Sequence, residues 1–291
     1  MLARPPLAPR RRSARLAKAS RPATDAPPER PPASLITRSI EGIGRRVLSG
    51  LEDLGRVTHI LALALANLFV RPVRVRETLR MMEFVGVQSL PIILLTSAFT
   101  GAVFTLQSYR AFAMFGAQAM VGGTVGVALT RELGPTLTGL LVAGRAGSAM
   151  AAEIGAMRVS EQIDALDAMA VDPINYLVKP RIVASVLVVP MLTALFDFVG
   201  CLGSYAIGVG VLRLSRPEFM VRLRDWVDWD DIWTGLFKAL VFGLIIGTVA
   251  CYKGFYTTGG ARGVGLATTS SVVVSSVAIL ISNFFIAYAL P

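Results

Sequence analysis

The sequence predicts an all-α integral membrane protein, and three observations support this fold class. Hydrophobic residues make up 54% of the chain and charged residues 16%, whereas soluble domains carry about 25% charged residues. The apolar residues are grouped in long blocks, each near or above the ~20 residues that a helix needs to cross a bilayer. Most charged residues lie between these blocks. This distribution excludes an ordinary soluble enzyme.

The chain begins with a basic segment. Residues 1–46 contain eleven Lys and Arg residues and three acidic residues, and their first part is rich in Pro, Arg, Ala and Ser. A segment of this composition cannot bury a core, so we predict a disordered cytoplasmic tail. Basic tails bind either nucleic acids or the anionic lipids of the cytoplasmic leaflet. Because a membrane domain follows, we favour the lipid surface and expect no nucleic-acid partner.

The membrane domain is predicted to occupy residues 47–291 and to begin with an interfacial helix. Residues 57–70 are apolar but too short to span ~30 Å of hydrocarbon. Arg56 precedes them, and Arg71 and Pro72 follow. We therefore predict a helix that lies in the cytoplasmic interface, with its arginines at the headgroups. The alternative is the start of a longer spanning helix, which Pro72 and the arginines disfavour.

Five spanning helices are predicted from the longer apolar blocks, at about 85–106, 124–144, 182–212, 232–252 and 264–290. Lys and Arg are concentrated before the first span and between the second and third. This bias predicts a cytoplasmic N-terminus and an external C-terminus. The loop 213–231 departs from the bias because it holds four arginines, although Trp226 and Trp229 suit a membrane interface.

Polar residues are rare within the predicted spans, and each one marks a candidate site. They are Arg131 and Glu132 in the second span, Asp197 in the third, Lys238 in the fourth and Asn283 in the fifth. A charge in lipid costs several kcal/mol unless it is paired or hydrated, so these residues should face the bundle interior or a cavity. Adjacent helical positions point about 100° apart, so Arg131 and Glu132 should find partners on other helices.

Two interpretations of these charges stay open from the sequence. They form either a polar patch in a substrate pathway or structural salt bridges between helices. Lys238 has a further alternative, because its long side chain could snorkel to the external interface.

The connection between the second and third spans predicts a short amphipathic cytoplasmic helix. Ser160 is the predicted N-cap, and Asp172-Pro173 is the predicted end. Such a helix is suited to docking in a groove of another protein, and the alternative is a solvated connection that lies on the membrane. An acidic face suits anionic lipid poorly, which favours docking. The helix has an apolar stripe of Ile163, Leu166 and Ala170 beside an acidic stripe of Glu161, Asp164 and Asp167.

The sequence lacks the residues that several kinds of active site require. No Lys follows a Gly, so the chain has no phosphate-binding loop of Walker A type. Its one histidine, His59, and its two cysteines, Cys201 and Cys251, do not make a metal site. We therefore predict no metal, no cofactor and no catalytic residue. If ATP drives the protein, the ATPase is a separate chain.

Three stretches carry a resemblance to a known family: residues 95–107, residues 130–181, which begin TRELGP, and residues 257–273. The chain resembles the MlaE (YrbE) family of permeases, the membrane subunits of MCE-linked ABC transporters of phospholipids. The resemblance covers roughly residues 60–290. It implies a homodimer of subunits, each with an interfacial helix and five spans. It also implies a role in lipid trafficking and outer-membrane lipid asymmetry.

The resemblance further implies partners and sites. A cytoplasmic ABC ATPase dimer would grip the coupling helix, here about Ser160–Met169. An MCE-domain protein, usually a hexamer, would lie on the external side, and some systems add a STAS-domain subunit. The phospholipid would enter a pocket between the two permease halves. The family's charged residues in the second and fourth spans fall on Arg131, Glu132 and Lys238. The implied location is a bacterial inner membrane, with a plastid inner envelope as the alternative.

Three other functions compete with this interpretation. An ion-coupled secondary transporter would use Arg131, Glu132 and Asp197 as a proton or ion relay, although the sequence shows no convincing repeated halves. An intramembrane enzyme that acts on lipids would need a nucleophile and a base, for which a single histidine is a poor basis. The last alternative is a membrane scaffold without transport activity.

Overall fold

The structure is a computed structural model that describes residues 74–290 together with Gly55, Thr58 and Ala62. The predicted tail at 1–46 lies outside the described residues. So does the predicted interfacial helix at 57–70, apart from Thr58 and Ala62, which are helical.

The described chain is built from α-helices, which confirms the predicted fold class. In chain order the helices are α1 Val75–Val85, α2 Leu90–Ala113, α3 Val121–Ala128, α4 Gly134–Val142, α5 Ser148–Val159, α6 Gln162–Ala168, α7 Lys179–Tyr205, α8 Arg216–Trp226, α9 Trp229–Phe255 and α10 Gly260–Ala289. Long helices suit a bilayer because they satisfy every backbone hydrogen bond internally.

Four helical segments of the described chain are long and apolar enough to cross a membrane. They correspond to the first, third, fourth and fifth predicted spans and cover Val75–Ala113, Ile174–Val211, Trp229–Phe255 and Gly260–Ala289. The second predicted span, 124–144, falls instead on α3 and α4, which have 8 and 9 residues. The count of five spans therefore stays a prediction.

The helices α3, α4 and α5 are joined end to end by two π-helical turns, Leu129–Leu133 and Ala143–Gly147. The residues at the junctions, Leu129, Gly134, Ala143 and Ser148, all keep right-handed helical backbone angles. Residues 121–159 therefore form one continuous helical rod, which we call the central rod. Single π turns of this kind occur frequently at functional sites.

Small residues allow the long helices to approach closely. A Cβ atom on Gly101 of α2 would overlap the carbonyl oxygen of Gly200 on α7, and one on Gly243 of α9 would overlap that of Ser185 on α7. Close backbone approach through small residues is the usual way in which helices associate in lipid. α7 therefore packs closely against both α2 and α9.

The buried apolar side chains form two clusters. The larger one fills the bundle and includes Ile93, Leu129, Leu192, Phe196, Phe242 and Ile246. The smaller one surrounds α6 and consists of Ile154, Ile163, Leu177, Val178, Ile182, Cys251 and Tyr252. Through this smaller cluster, α6 packs against α5, α7 and α9.

Candidate substrate site and coupling surface

Lys238 of α9 is the central charge of the candidate site. Its side chain is fully buried, and its Nζ atom donates to Oε1 of Glu132 at 2.6 Å. The same ammonium donates to the backbone carbonyl oxygen of Arg131 at 3.0 Å. The alternative that Lys238 snorkels to the external interface is therefore wrong, because the buried pair holds the ammonium inside the bundle.

The carbonyl oxygen of Arg131 is free to accept this bond because of the residues that follow it. In an α-helix its donor would be the backbone N–H of residue 135, but residue 135 is Pro, which has no N–H. The preceding N–H, that of Gly134, donates to the carbonyl of Leu129 in the π turn. Lys238 thus donates to a carbonyl whose α-helical donor is removed by Pro135.

Glu132 connects the central rod to two other helices. Its Oε1 atom accepts from Lys238 of α9, and its Oε2 atom accepts from Nδ2 of Asn283 of α10 at 3.1 Å. The Glu132 side chain nevertheless retains 42% of its exposure. Its carboxylate therefore links three helices and still faces outward from the chain.

Arg131 points to a different partner, as the angle between adjacent helical positions predicts. Its Nη1 atom lies 3.5 Å from Oδ1 of Asp231, and its Nη2 atom donates to the carbonyl oxygen of Leu290 at 3.2 Å. Asp231 also closes the first turn of α9, where it accepts from the backbone N–H of Asp228 at 3.2 Å. We call Arg131, Glu132, Asp231, Lys238 and Asn283 the polar cluster.

The sequence analysis missed Asp231 because it placed the residue in the loop 213–231. A signal was present, since Asp231 and Lys238 are seven residues apart and therefore lie on one face of a helix. Asn283 was noted only as a polar residue of the fifth span.

Asp197 of α7 does not join the polar cluster. It packs against the backbone of Gly134, where a Cβ atom would overlap its Oδ1 atom. This Oδ1 atom is buried and has no hydrogen-bond partner among the described residues. The predicted relay of Arg131, Glu132 and Asp197 is therefore not connected by hydrogen bonds in the part of the chain that the structure describes.

An apolar groove lies beside the segment that carries Glu132. It has a volume of about 560 Å³, which falls in the usual range of ligand pockets. It is lined by Leu133, the residue after Glu132, and by one face of α2 that includes Leu95, Phe99 and Val103. Phe99 is 64% exposed, so the groove is open to the surroundings of the chain.

The coupling helix is shorter than predicted at both ends. α6 covers Gln162–Ala168, and the expected N-cap, Ser160, instead ends α5, where its Oγ atom donates to the carbonyl of Ala156 at 2.8 Å. The residue before α6 is Glu161, whose φ of 58° is left-handed. The predicted start is therefore wrong, because the chain turns sharply between α5 and α6 and Ser160 completes the earlier helix.

The predicted end at Asp172-Pro173 is also wrong. α6 stops at Ala168, and Ala170 has a left-handed φ of 56°. Asp172 caps the next helical segment instead, since it accepts from the backbone N–H of Ile174 at 2.9 Å and from Nδ2 of Asn175 at 2.6 Å.

The two faces of α6 are as predicted, except that Ala170 of the expected apolar stripe lies beyond the end of the helix and is exposed. Ile163 is fully buried and Leu166 is half-buried against the smaller apolar cluster. The acidic residues Glu161, Asp164 and Asp167 are all exposed. Asp164 lies 2.6 Å from Nη1 of Arg158, at the end of the central rod. The apolar face of α6 thus holds the helix against the bundle. Its acidic face, which we call the acidic surface, is ion-paired to the central rod.

Ion pairs around the buried Lys238, in a bundle of long apolar helices that also carries an open apolar groove, are typical of a membrane transport protein. In the described residues no group of three or more His, Cys, Asp or Glu side chains could hold a metal ion. The family described as Permease MlaE matches residues 78–289. The chain belongs to this family, which confirms the resemblance, and it is a permease and not an enzyme.

Curated relatives agree with this assignment. The chain is 42% identical over 252 residues to a probable ABC transporter permease protein of Rickettsia felis, with 87% of this chain and 97% of the relative covered. It is 36% identical over 257 residues to the intermembrane phospholipid transport system permease protein MlaE of Haemophilus influenzae, again with 87% and 97% covered. It is 44% identical over 216 residues to the chloroplastic protein trigalactosyldiacylglycerol 1 of Arabidopsis thaliana, with 72% and 60% covered.

Proposed function

We propose that this chain is the permease subunit of an ABC transporter that moves phospholipids between the inner membrane and an MCE-domain protein. The observation that carries the proposal is the polar cluster beside the apolar groove. A phospholipid has a charged headgroup and apolar chains, and these need a polar site and an apolar surface next to each other. The relative from Haemophilus influenzae is named for phospholipid transport.

ATP hydrolysis is assigned to a separate ATPase dimer, because the sequence has no Walker A loop. α6 is the proposed docking element, through the exposed acids Glu161, Asp164 and Asp167. Its buried Ile163 holds it against the bundle, so that a displacement of α6 is passed on to its neighbours.

The central rod supports a direct mechanical link between the ATPase and the lipid site. One end of the rod is joined to α6 through the Arg158–Asp164 pair, and its first π turn carries Arg131 and Glu132. Closure of the ATPase dimer would move α6 and the rod together. The bundle would then shift between a state that accepts lipid and one that releases it, since each state has a different affinity for lipid.

The remaining assembly follows from the family. We propose a homodimer with its lipid path between the two copies, a hexameric MCE-domain partner on the external side and, in some systems, a STAS-domain subunit. The proposed location is a bacterial inner membrane with the N-terminus in the cytoplasm. A plastid inner envelope is the second candidate, because one relative is described as chloroplastic.

The test is purification in mild detergent through a C-terminal tag, followed by mass spectrometry of the proteins and lipids retained. The expected result is a co-purifying ATPase and bound phospholipid. Reconstitution of the complex with fluorescent phospholipid in vesicles should then give ATP-dependent transfer. A native oligomer that retains neither ATPase nor phospholipid, and whose transport stops when an ion gradient is collapsed, would instead establish the ion-coupled transporter.

A further inference from the structure

We infer that the polar cluster selects phospholipids with zwitterionic headgroups, which carry an ammonium and a phosphate, over phospholipids with anionic headgroups. This inference rests on the proposed function and adds the chemistry of the headgroup to it. Three properties of the polar cluster carry the inference: its charge balance, the exposure of its charges and the position of the apolar groove.

The charges of the polar cluster sum to zero. Each cation has its own carboxylate partner, Lys238 with Glu132 at 2.6 Å and Arg131 with Asp231 at 3.5 Å. A headgroup with a net negative charge would enter an apolar bundle without a free countercharge, and such a transfer is unfavourable. A headgroup with no net charge leaves the balance unchanged.

Asp197, which lies near the polar cluster, does not add a positive charge that would attract an anionic headgroup. It lies against Gly134, two residues after Glu132. If its carboxyl group is ionised, the neighbourhood gains a negative charge; if the group is protonated, the neighbourhood gains none. In neither state does Asp197 attract an anionic headgroup.

The exposure of the charges also fits a zwitterion. Lys238 is fully enclosed and already donates to Glu132 and to the carbonyl of Arg131, so it does not face a ligand. The groups that face outward are Glu132, at 42% exposure, and Arg131, at 31%. A carboxylate suits an ammonium group, and a guanidinium suits a phosphate.

The apolar groove would receive an acyl chain of the same lipid. Leu133 forms part of the groove and directly follows Glu132. The groove is lined chiefly by apolar side chains of α2 and therefore adds no cation that would favour an anionic headgroup.

The test uses the full-length permease with its ATPase in nanodiscs made from equimolar phosphatidylethanolamine and phosphatidylglycerol with identical acyl chains. Lipid that stays bound after transfer to detergent is extracted and measured by mass spectrometry. The expected ratio of bound zwitterionic to bound anionic lipid is about tenfold, which corresponds to ~1.4 kcal/mol. A ratio of one would overturn the inference.

Two isosteric variants test whether charge is the cause. Glu132→Gln adds one positive charge to the polar cluster and should shift the ratio toward the anionic lipid. Lys238→Gln adds one negative charge and should shift the ratio further toward the zwitterionic lipid. The double variant restores the balance and should return the ratio toward that of the unmodified protein. Glu218→Gln, on the exposed surface of α8, is the matched control and should leave the ratio unchanged.

The outcomes separate this inference from the proposed function. A shift of the lipid ratio in the same direction in both single variants would overturn the inference. A loss of folding changes the ratio in the same direction in both variants, whereas the opposite charge changes should shift it in opposite directions. A folded complex that retains phospholipid without headgroup preference would overturn the inference and leave the proposed function intact. A folded complex that retains no phospholipid would contradict the proposed function itself.

Discussion

Lys238 donates a hydrogen bond to the backbone carbonyl oxygen of Arg131, at 3.0 Å, from one helix to the next. This oxygen lacks its helical donor because residue 135 is Pro. The missing N–H of Pro135 therefore leaves an acceptor inside the bundle, to which the buried ammonium donates. The adjoining π turn carries both outward-facing charges of the polar cluster.

We predict that Pro135→Ala weakens the function of Lys238. The new N–H at position 135 can donate to the carbonyl of Arg131 and compete with the ammonium. Lipid-stimulated ATPase activity of the complex should fall on the order of tenfold, or about 1.4 kcal/mol. Pro190→Ala is the matched control, because Pro190 also lies inside a helix, α7, and should have a smaller effect. In a Lys238→Gln background Pro135→Ala should add little, and fully multiplicative effects would contradict the coupling.

Lys238→Met should destabilise the fold. It removes the ammonium that donates hydrogen bonds to Glu132 and to the Arg131 carbonyl. Loss of one member of a buried ion pair costs about 3–5 kcal/mol. Because Glu132 keeps 42% of its exposure, we expect a smaller loss of about 2 kcal/mol, measured by denaturant unfolding in detergent. The double variant Lys238→Met/Glu132→Gln should be more stable than Lys238→Met, since it leaves no unpaired carboxylate. A double variant no more stable than the single one would argue against the ion pair.

Gly101→Ala should also reduce stability. Its Cβ atom would overlap the carbonyl oxygen of Gly200, and backbone cannot move aside as a flexible side chain can. We expect a loss of about 1–3 kcal/mol from the forced separation of α2 and α7. Gly265→Ala on α10 is the control, because nothing lies within 4 Å of its Cβ position. It should be neutral or stabilise the helix by about 0.5–1 kcal/mol. Equal effects of the two variants in thermal unfolding would contradict the close contact.

Asp164→Arg should weaken ATPase binding while the bundle stays folded, because Asp164 is exposed and Ile163 still anchors α6. The expected loss of affinity is on the order of tenfold, measured by pull-down of the ATPase at increasing concentrations. Asp225→Arg on α8 is the control, since it reverses a charge on the predicted external side.

The swapped variant Arg158→Asp/Asp164→Arg separates two causes of this loss. It restores a local pair like the 2.6 Å pair of the native protein but leaves the acidic surface altered. Binding should remain weak if the acidic surface contacts the ATPase. Recovery of full binding would show that the local pair alone mattered.

The membrane class, the approximate positions of the long apolar helices and the two faces of α6 could all be predicted from the sequence. These features depend on local composition and periodicity, which do not depend on how the helices pack against one another. The expectation that Arg131 and Glu132 have partners on other helices likewise follows from helical geometry alone. The family relationship was also visible in the sequence, on residues that the family match covers.

The identity of those partners could not be predicted from the sequence and is seen in the packed bundle. Asp231 meets Arg131, Asn283 meets Glu132, and Lys238 is enclosed between Glu132 and a backbone carbonyl. The true start of α6 after Ser160 was likewise decided by the turn from α5. Such choices depend on how helices that are distant in sequence pack together. A long side chain has several partners within reach of its helix, and periodicity cannot distinguish between them. Close packing through residues such as Gly101 and Gly243 fixes which helices are neighbours.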